Sequence, residues 1–198
     1  VGAGSNTTGG AVNRAIYYLS QDLHYKDKLM EEVNKHFADP SNVTLDSLNQ
    51  MDFMTAFIKE TLRFSPPVIG LLPRESIRDH TLGDLKIRKG TAVNLGALLN
   101  NFNPIYHENV DQFYPDRWLT DSKTTESITQ DTFVFIPFSS GARNCIGQHL
   151  AMNEVRIIFS LFLKKYDFEV DPDYDHQMTQ RIVYEPFNVM NIKLRPKV

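Results

Sequence analysis

The sequence predicts a mainly helical fold with small β-sheets. Two kinds of pattern carry that prediction. Apolar residues recur at helical spacing near the start (Val12, Ala15, Ile16, Leu19, Leu23) and near the end (Ile146, Leu150, Ile158, Leu161, Phe162). Residues 68–94 and 168–194 alternate in polarity instead and are interrupted by glycine or proline turns, as short strands are. No internal repeat or low-complexity tract interrupts the 198 residues, a length that suits one domain with a proper core.

Charge narrows the function classes. Lys plus Arg number 21 against 24 Asp plus Glu, a net charge of −3. That balance argues against a nucleic-acid surface and against a broad anionic-membrane surface. No apolar run approaches the ~18 residues of a membrane span, and no signal-peptide pattern is present. The chain opens in mid-motif, so residues 1–198 are expected to be the C-terminal part of a single larger domain.

Taken in order, residues 1–23 read as a helix despite Gly2, Gly4, Gly9 and Gly10, each of which weakens a helix by roughly 1 kcal/mol relative to alanine. Residues 28–37 form an amphipathic helix with Leu29, Val33 and Phe37 on one side. Residues 44–50 suggest a capped turn, and Asp52 suits the N-cap of a helix over 53–64. On that helix Glu60 and Arg63 share one face, and Ser65-Pro66-Pro67 stops it. Strand candidates are 68–72, 74–77, 85–87 and 92–95, with Gly83 and Lys89-Gly90 as turns. Residues 101–118 predict a compact irregular loop. His107 within it lacks a second histidine or acid at ligand spacing, which argues against a metal site. Residues 121–132 look like a polar surface excursion, and 133–138 like extended chain. After the last helix, ending near Lys164-Lys165, residues 168–170 and 188–194 read as strands and 183–186 as a hairpin tip.

The stretch Phe138-Ser139-Ser140-Gly141-Ala142-Arg143-Asn144-Cys145-Ile146-Gly147 holds the only cysteine. A disulfide within the chain and a Cys-rich zinc site are therefore excluded. Gly141 and Gly147 leave room for a bulky flat ligand. Cys145 falls just ahead of a helix, where free amide N–H groups and the dipole favour an anionic sulfur. Arg143 adds a charge able to pair with a carboxylate. A lone cysteine also reads as a buried structural residue, and this local chemistry leaves both readings open.

The whole string resembles the F-x-x-G-x-R-x-C-x-G loop of the cytochrome P450 family. Three further stretches resemble that family in the same order. Ala3-Gly4-Ser5-Asn6-Thr7-Thr8 is similar to the A-G-x-D/E-T-T/S of its distal helix, Glu60-Thr61-Leu62-Arg63 to its E-x-x-R, and Pro115-Asp116-Arg117-Trp118 to its P-x-R-F/W. The resemblance covers essentially the whole chain and implies the C-terminal portion of the cytochrome P450 fold.

By that resemblance Cys145 ligates haem iron, and Phe138, Gly141 and Gly147 shape the haem loop. Arg143 and Arg74 pair with the haem propionates; an ordinary strand-edge arginine is the other reading of Arg74. Thr7 and Asn6 take part in proton delivery, although Asn6 stands where the family carries an acid, and an amide cannot relay a proton at neutral pH. Glu60, Arg63 and Arg117 form a buried structural cluster. Residues 67–72 border the substrate pocket, and the hairpin tip at 183–186 lies over it.

The implied activity is a haem-thiolate monooxygenase acting on a small organic substrate with O2 and electrons from a separate reductase. No flavin or nicotinamide motif is visible in the chain. A peroxide isomerase or dehydratase, or a haem sensor, are the alternatives. The resemblance also implies that membrane contact, on the cytosolic face of the endoplasmic reticulum in a eukaryote, belongs to the absent N-terminal half.

Overall fold

The structure is a computed structural model and describes residues 2–70, 73–119, 122–180 and 183–197. Seven α-helices appear among these residues: α1 (Gly2–Gln21), α2 (His24–His36), α3 (Leu45–Asn49), α4 (Asp52–Phe64), α5 (Ala97–Asn101), α6 (Lys123–Gln130) and α7 (Gln148–Lys165). The strands form four two-stranded antiparallel sheets. β1 (Arg74–Glu75) pairs with β4 (Ala92–Val93), and β2 (His80–Leu82) with β3 (Leu85–Ile87). β5 (Tyr166–Val170) pairs with β8 (Ile192–Pro196), and β6 (Met178–Gln180) with β7 (Tyr184–Pro186). The expectation of a mainly helical fold with small sheets holds.

The core lies where α1, α2, α4 and α7 meet. α1 contributes Val12, Ala15, Ile16 and Leu19, as their spacing requires, and α2 contributes Tyr25, Leu29 and Val33. Phe57 of α4 stacks on Phe159 of α7 at 5.8 Å and meets Phe113 edge-on at 5.1 Å. Truncating Phe57, which is fully buried, to alanine would cost about 3–5 kcal/mol. Among the described residues no helix is long and apolar enough to cross a membrane.

Several local expectations change. Leu23 lies beyond the end of α1 and is exposed. Asp52 occupies the first turn of α4 instead of its N-cap, which is Met51 without a side-chain cap. Glu32 of α2 supplies the missing acceptor, taking the Phe53 and Met54 N–H groups at 2.7 and 2.8 Å. An anion there also complements the helix dipole, and only tertiary packing could bring it. Thr44 and Ser47 form the reciprocal cap expected around α3.

Residues 68–70 are not a strand, and 71–72, the rest of that candidate, lie outside the described residues. His80–Leu82 is a strand that the alternation reading passed over. The polar excursion contains α6, capped by the Ser122 hydroxyl, which accepts from the Thr125 N–H at 3.1 Å. Residues 133–138 run through turns. Tyr184–Pro186 is strand β7 and not a hairpin tip, and residues 181 and 182 are outside the described residues.

The last helix reverses part of its expected face. α7 starts at Gln148, and its buried side is Val155, Phe159, Ser160 and Leu163. Ile146, Leu150 and Ile158, assigned to the apolar stripe, are exposed. A helix that is apolar on more than one side packs only one of them into the core. Ile146 and Leu150 instead line a cleft.

Candidate active-site cleft

That cleft, about 460 Å³, opens between α1 and the cysteine loop. The loop is built by two left-handed residues. Ser139 has φ of 63° and Gly141 of 77°, a region that non-glycine residues seldom adopt. Phe138 lies at the closure: its carbonyl accepts the Cys145 N–H at 2.9 Å. A short 3₁₀ turn, Gly141–Arg143, lies between them. A Cβ on Gly141 would meet no protein atom within 4 Å, so within the protein it is the backbone angle that favours glycine there. Gly141 is also outside the cleft lining, whereas Phe138, Arg143, Cys145 and Gly147 line it. Cys145 is exposed, which removes the buried-structural reading of its sulfur.

The facing wall is the first half of α1, with Ala3, Gly4, Thr7, Thr8 and Ala11 on the cleft. Thr7 donates its hydroxyl hydrogen to the Ala3 carbonyl one turn back at 2.8 Å, leaving the oxygen's lone pairs available as acceptors. Asn6 is exposed and outside the lining. Sequence reasoning passed over Glu154, the only carboxylate residue in that lining among the described residues, whose Oε2 accepts the Thr8 hydroxyl hydrogen at 3.3 Å. It lies nine residues beyond the cysteine on α7, and only the α1–α7 packing joins it to the threonines. Arg74, on β1, and Arg143 are both in the lining.

The predicted cluster lies outside the cleft lining. Glu60 and Arg63 are fully buried, and Arg117 is 2% exposed. Arg63 donates Nε to Glu60 Oε2 at 2.9 Å and Nη2 to Oε1 at 2.8 Å, a bidentate pair. Its remaining donors reach the carbonyls of Asn101, Val110 and Gln112. Arg117 Nε donates to Glu60 Oε1 at 3.1 Å, and Arg117 also reaches the Glu108, Asn109 and Gln112 carbonyls. Burial pulls the Arg117 guanidinium down from its ordinary value, and Glu60 opposes that shift. His107 is fully buried, with Nδ1 bonded to Thr124 Oγ1 at 3.1 Å. No metal-ligand cluster occurs among the described residues.

The residues in the cleft fit a haem group. The soft sulfur ligand is exposed at a mostly apolar cleft; Ile146 and Leu150 present uncovered apolar surface there, and two arginines can meet carboxylates.

The cytochrome P450 family model matches residues 1–192. The chain belongs to the cytochrome P450 family. Among its relatives, the cytochrome P450 monooxygenase lnbC of Aspergillus flavus is 30% identical over 99% of this chain and 39% of its own length. Cytochrome P450 4A10 of Mus musculus is 33% identical over 97% of this chain and 36% of its own. The steroid 17-alpha-hydroxylase/17,20 lyase of Felis catus is 33% identical over 87% of this chain and 34% of its own. The chain thus spans well under half the length of these relatives. The retinoic acid-bound cyanobacterial CYP120A1 has the same fold, with a TM-score of 0.89 and 24% identity over 98% of this chain and 44% of that one.

Proposed function

We propose that this P450 chain is the C-terminal part of a single-domain haem-thiolate monooxygenase, which inserts one oxygen atom of O2 into a small organic substrate. The observation that carries the reading is Cys145, exposed in an apolar cleft whose opposite wall presents Thr7 and Thr8. Haem held there supplies the oxygen and electron-transfer chemistry. The chain's own part is to bind, orient and exclude. Cys145 would provide the anionic sulfur that holds the iron, and Arg143 and Arg74 would pair with the haem carboxylates. Phe138 and Gly147 line the ligand side of the loop, and Gly141 holds the loop's turn.

Thr7, whose oxygen keeps its lone pairs toward the cleft, would accept a hydrogen bond and orient a proton donor there. Asn6 is exposed and outside the lining, so in this reading its part in proton delivery is indirect. Electrons come from a separate reductase. In a eukaryote the site of action is the cytosolic face of the endoplasmic reticulum, reached through sequence outside this chain.

The test is NADPH- and reductase-dependent consumption of dioxygen by the haem-loaded full-length protein, with hydroxylated product formed. Turnover of organic peroxides with no requirement for NADPH would assign it to the isomerase or dehydratase class instead. Haem binding with neither activity would point to a sensor.

A further inference from the structure

Arg14 lies midway along α1, 1% exposed, and its charge meets neutral oxygens. Nε donates to the Ser65 hydroxyl at 3.0 Å, and Nη2 donates to the Tyr184 carbonyl. Nη1 is buried without a partner among the described residues. A Cβ on Gly10, one turn earlier, would stand 2.7 Å from Nη1, so the guanidinium fills space that only glycine leaves. A buried guanidinium is costly to desolvate, and burial pulls it down from its ordinary value. Such a group persists where its bonds hold other parts in place.

The two acceptors lie outside the cleft lining but adjoin one segment of its wall. Ser65 leads into Pro66 and Pro67, which both line it. Neither proline has an N–H, so this segment cannot be fixed by donating its own backbone bonds. The Pro67 carbonyl instead accepts the Tyr184 N–H at 2.7 Å. The residue Tyr184 is thus bonded through both its backbone groups, its N–H to Pro67 and its carbonyl to Arg14. One guanidinium therefore holds the wall from both ends, directly at Ser65 and through β7 at Pro67.

We propose that Arg14 is a positioning residue that sets the placement of the Pro66-Pro67 wall and so the size of ligand the cleft admits. This rests on the reading of the cleft as the haem and ligand site.

The test compares wild type with Arg14→Met, Arg14→Lys and Gly10→Ala in the haem-loaded full-length protein. Hydrogen exchange is followed in peptides containing Tyr184 and Trp118. Imidazole and 4-phenylimidazole, two haem-binding probes of different size, are titrated by their Soret shifts. In Arg14→Met the Tyr184 peptide should exchange about tenfold faster while the Trp118 peptide is unchanged, and the ratio of the two probe dissociation constants should change by about fivefold or more. Arg14→Lys should restore part of both effects. Should Arg14→Met fail to fold, Gly10→Ala, which only displaces the guanidinium, should reproduce both in weaker form. Unchanged exchange, or affinities for both probes that move in proportion, overturns the proposal. If wild type binds no haem, the reading of the cleft fails, whereas the exchange measurement still decides whether Arg14 holds the wall.

Discussion

Trp118 donates its indole N–H to Glu60 Oε2 at 2.8 Å. With the Tyr114 N–H on Oε1, also at 2.8 Å, and the two arginines, this completes the shell of a fully buried carboxylate. Trp118→Phe keeps most of the ring and removes the donor. A hydrogen bond to a charged group is worth about 1.5–3 kcal/mol, so the urea midpoint should fall accordingly while the spectrum of the bound haem is unchanged. A midpoint equal to wild type would show that the indole bond contributes nothing.

Glu60→Ala and Arg63→Ala should lose folded protein and not selectively lose turnover. Removing one partner leaves an uncompensated buried charge, at about 3–5 kcal/mol out of a typical ~5–15 kcal/mol. Arg63→Ala also strips the arginine donor from the Asn101 and Val110 carbonyls, while Gln112 keeps its bond from Arg117. Soluble yield and haem content measure this. Normal yield and haem content with only slower catalysis would contradict the structural role.

His107 makes stability depend on pH. Burial, and then the neighbouring Arg63 and Arg117, pull it from 6.5 down to about 4. Between those values the unfolded chain binds a proton that the folded chain refuses. Stability is therefore full above about pH 6.5 and falls as pH drops toward 4, by at most about 3 kcal/mol. His107→Gln, which can still bond Thr124, should flatten the slope of unfolding free energy in that window. An unaltered slope would show that His107 is not the group responsible.

The helices of the core were legible because Val12, Ala15, Ile16 and Leu19, or Leu29 and Val33, each serve one environment. Ile146 and Leu150 were misread because periodicity cannot separate an apolar face turned to the core from one turned to a cleft. The cysteine loop and the Glu60–Arg63–Arg117 cluster were visible as motifs with fixed spacing. Glu32 at the start of α4, Trp118 on Glu60, and Glu154 beside Thr8 were invisible because each partner lies far away in sequence. The short strand His80–Leu82, entirely exposed, has no buried face to write an alternating pattern.

Thr7→Ala should still bind haem and accept electrons, yet divert them to hydrogen peroxide, because the acceptor that orients the proton donor is gone. Asn6→Asp should leave coupling close to wild type, since position 6 lies outside the cleft lining. The ratio of hydroxylated product to NADPH consumed, with peroxide quantified, reports both. Intact coupling in Thr7→Ala, or a large change in Asn6→Asp, would reverse these assignments.

The central claim is that Cys145 would hold the haem iron through its sulfur. It is tested most directly by the absorption spectrum of the reduced, carbon monoxide-bound full-length protein, wild type against Cys145→Ser. No second cysteine exists in the chain to substitute for it, and an alcohol is a poor anionic ligand at neutral pH. Wild type should show the thiolate-type Soret band and Cys145→Ser should lack it. An unchanged thiolate-type band in Cys145→Ser would contradict the account.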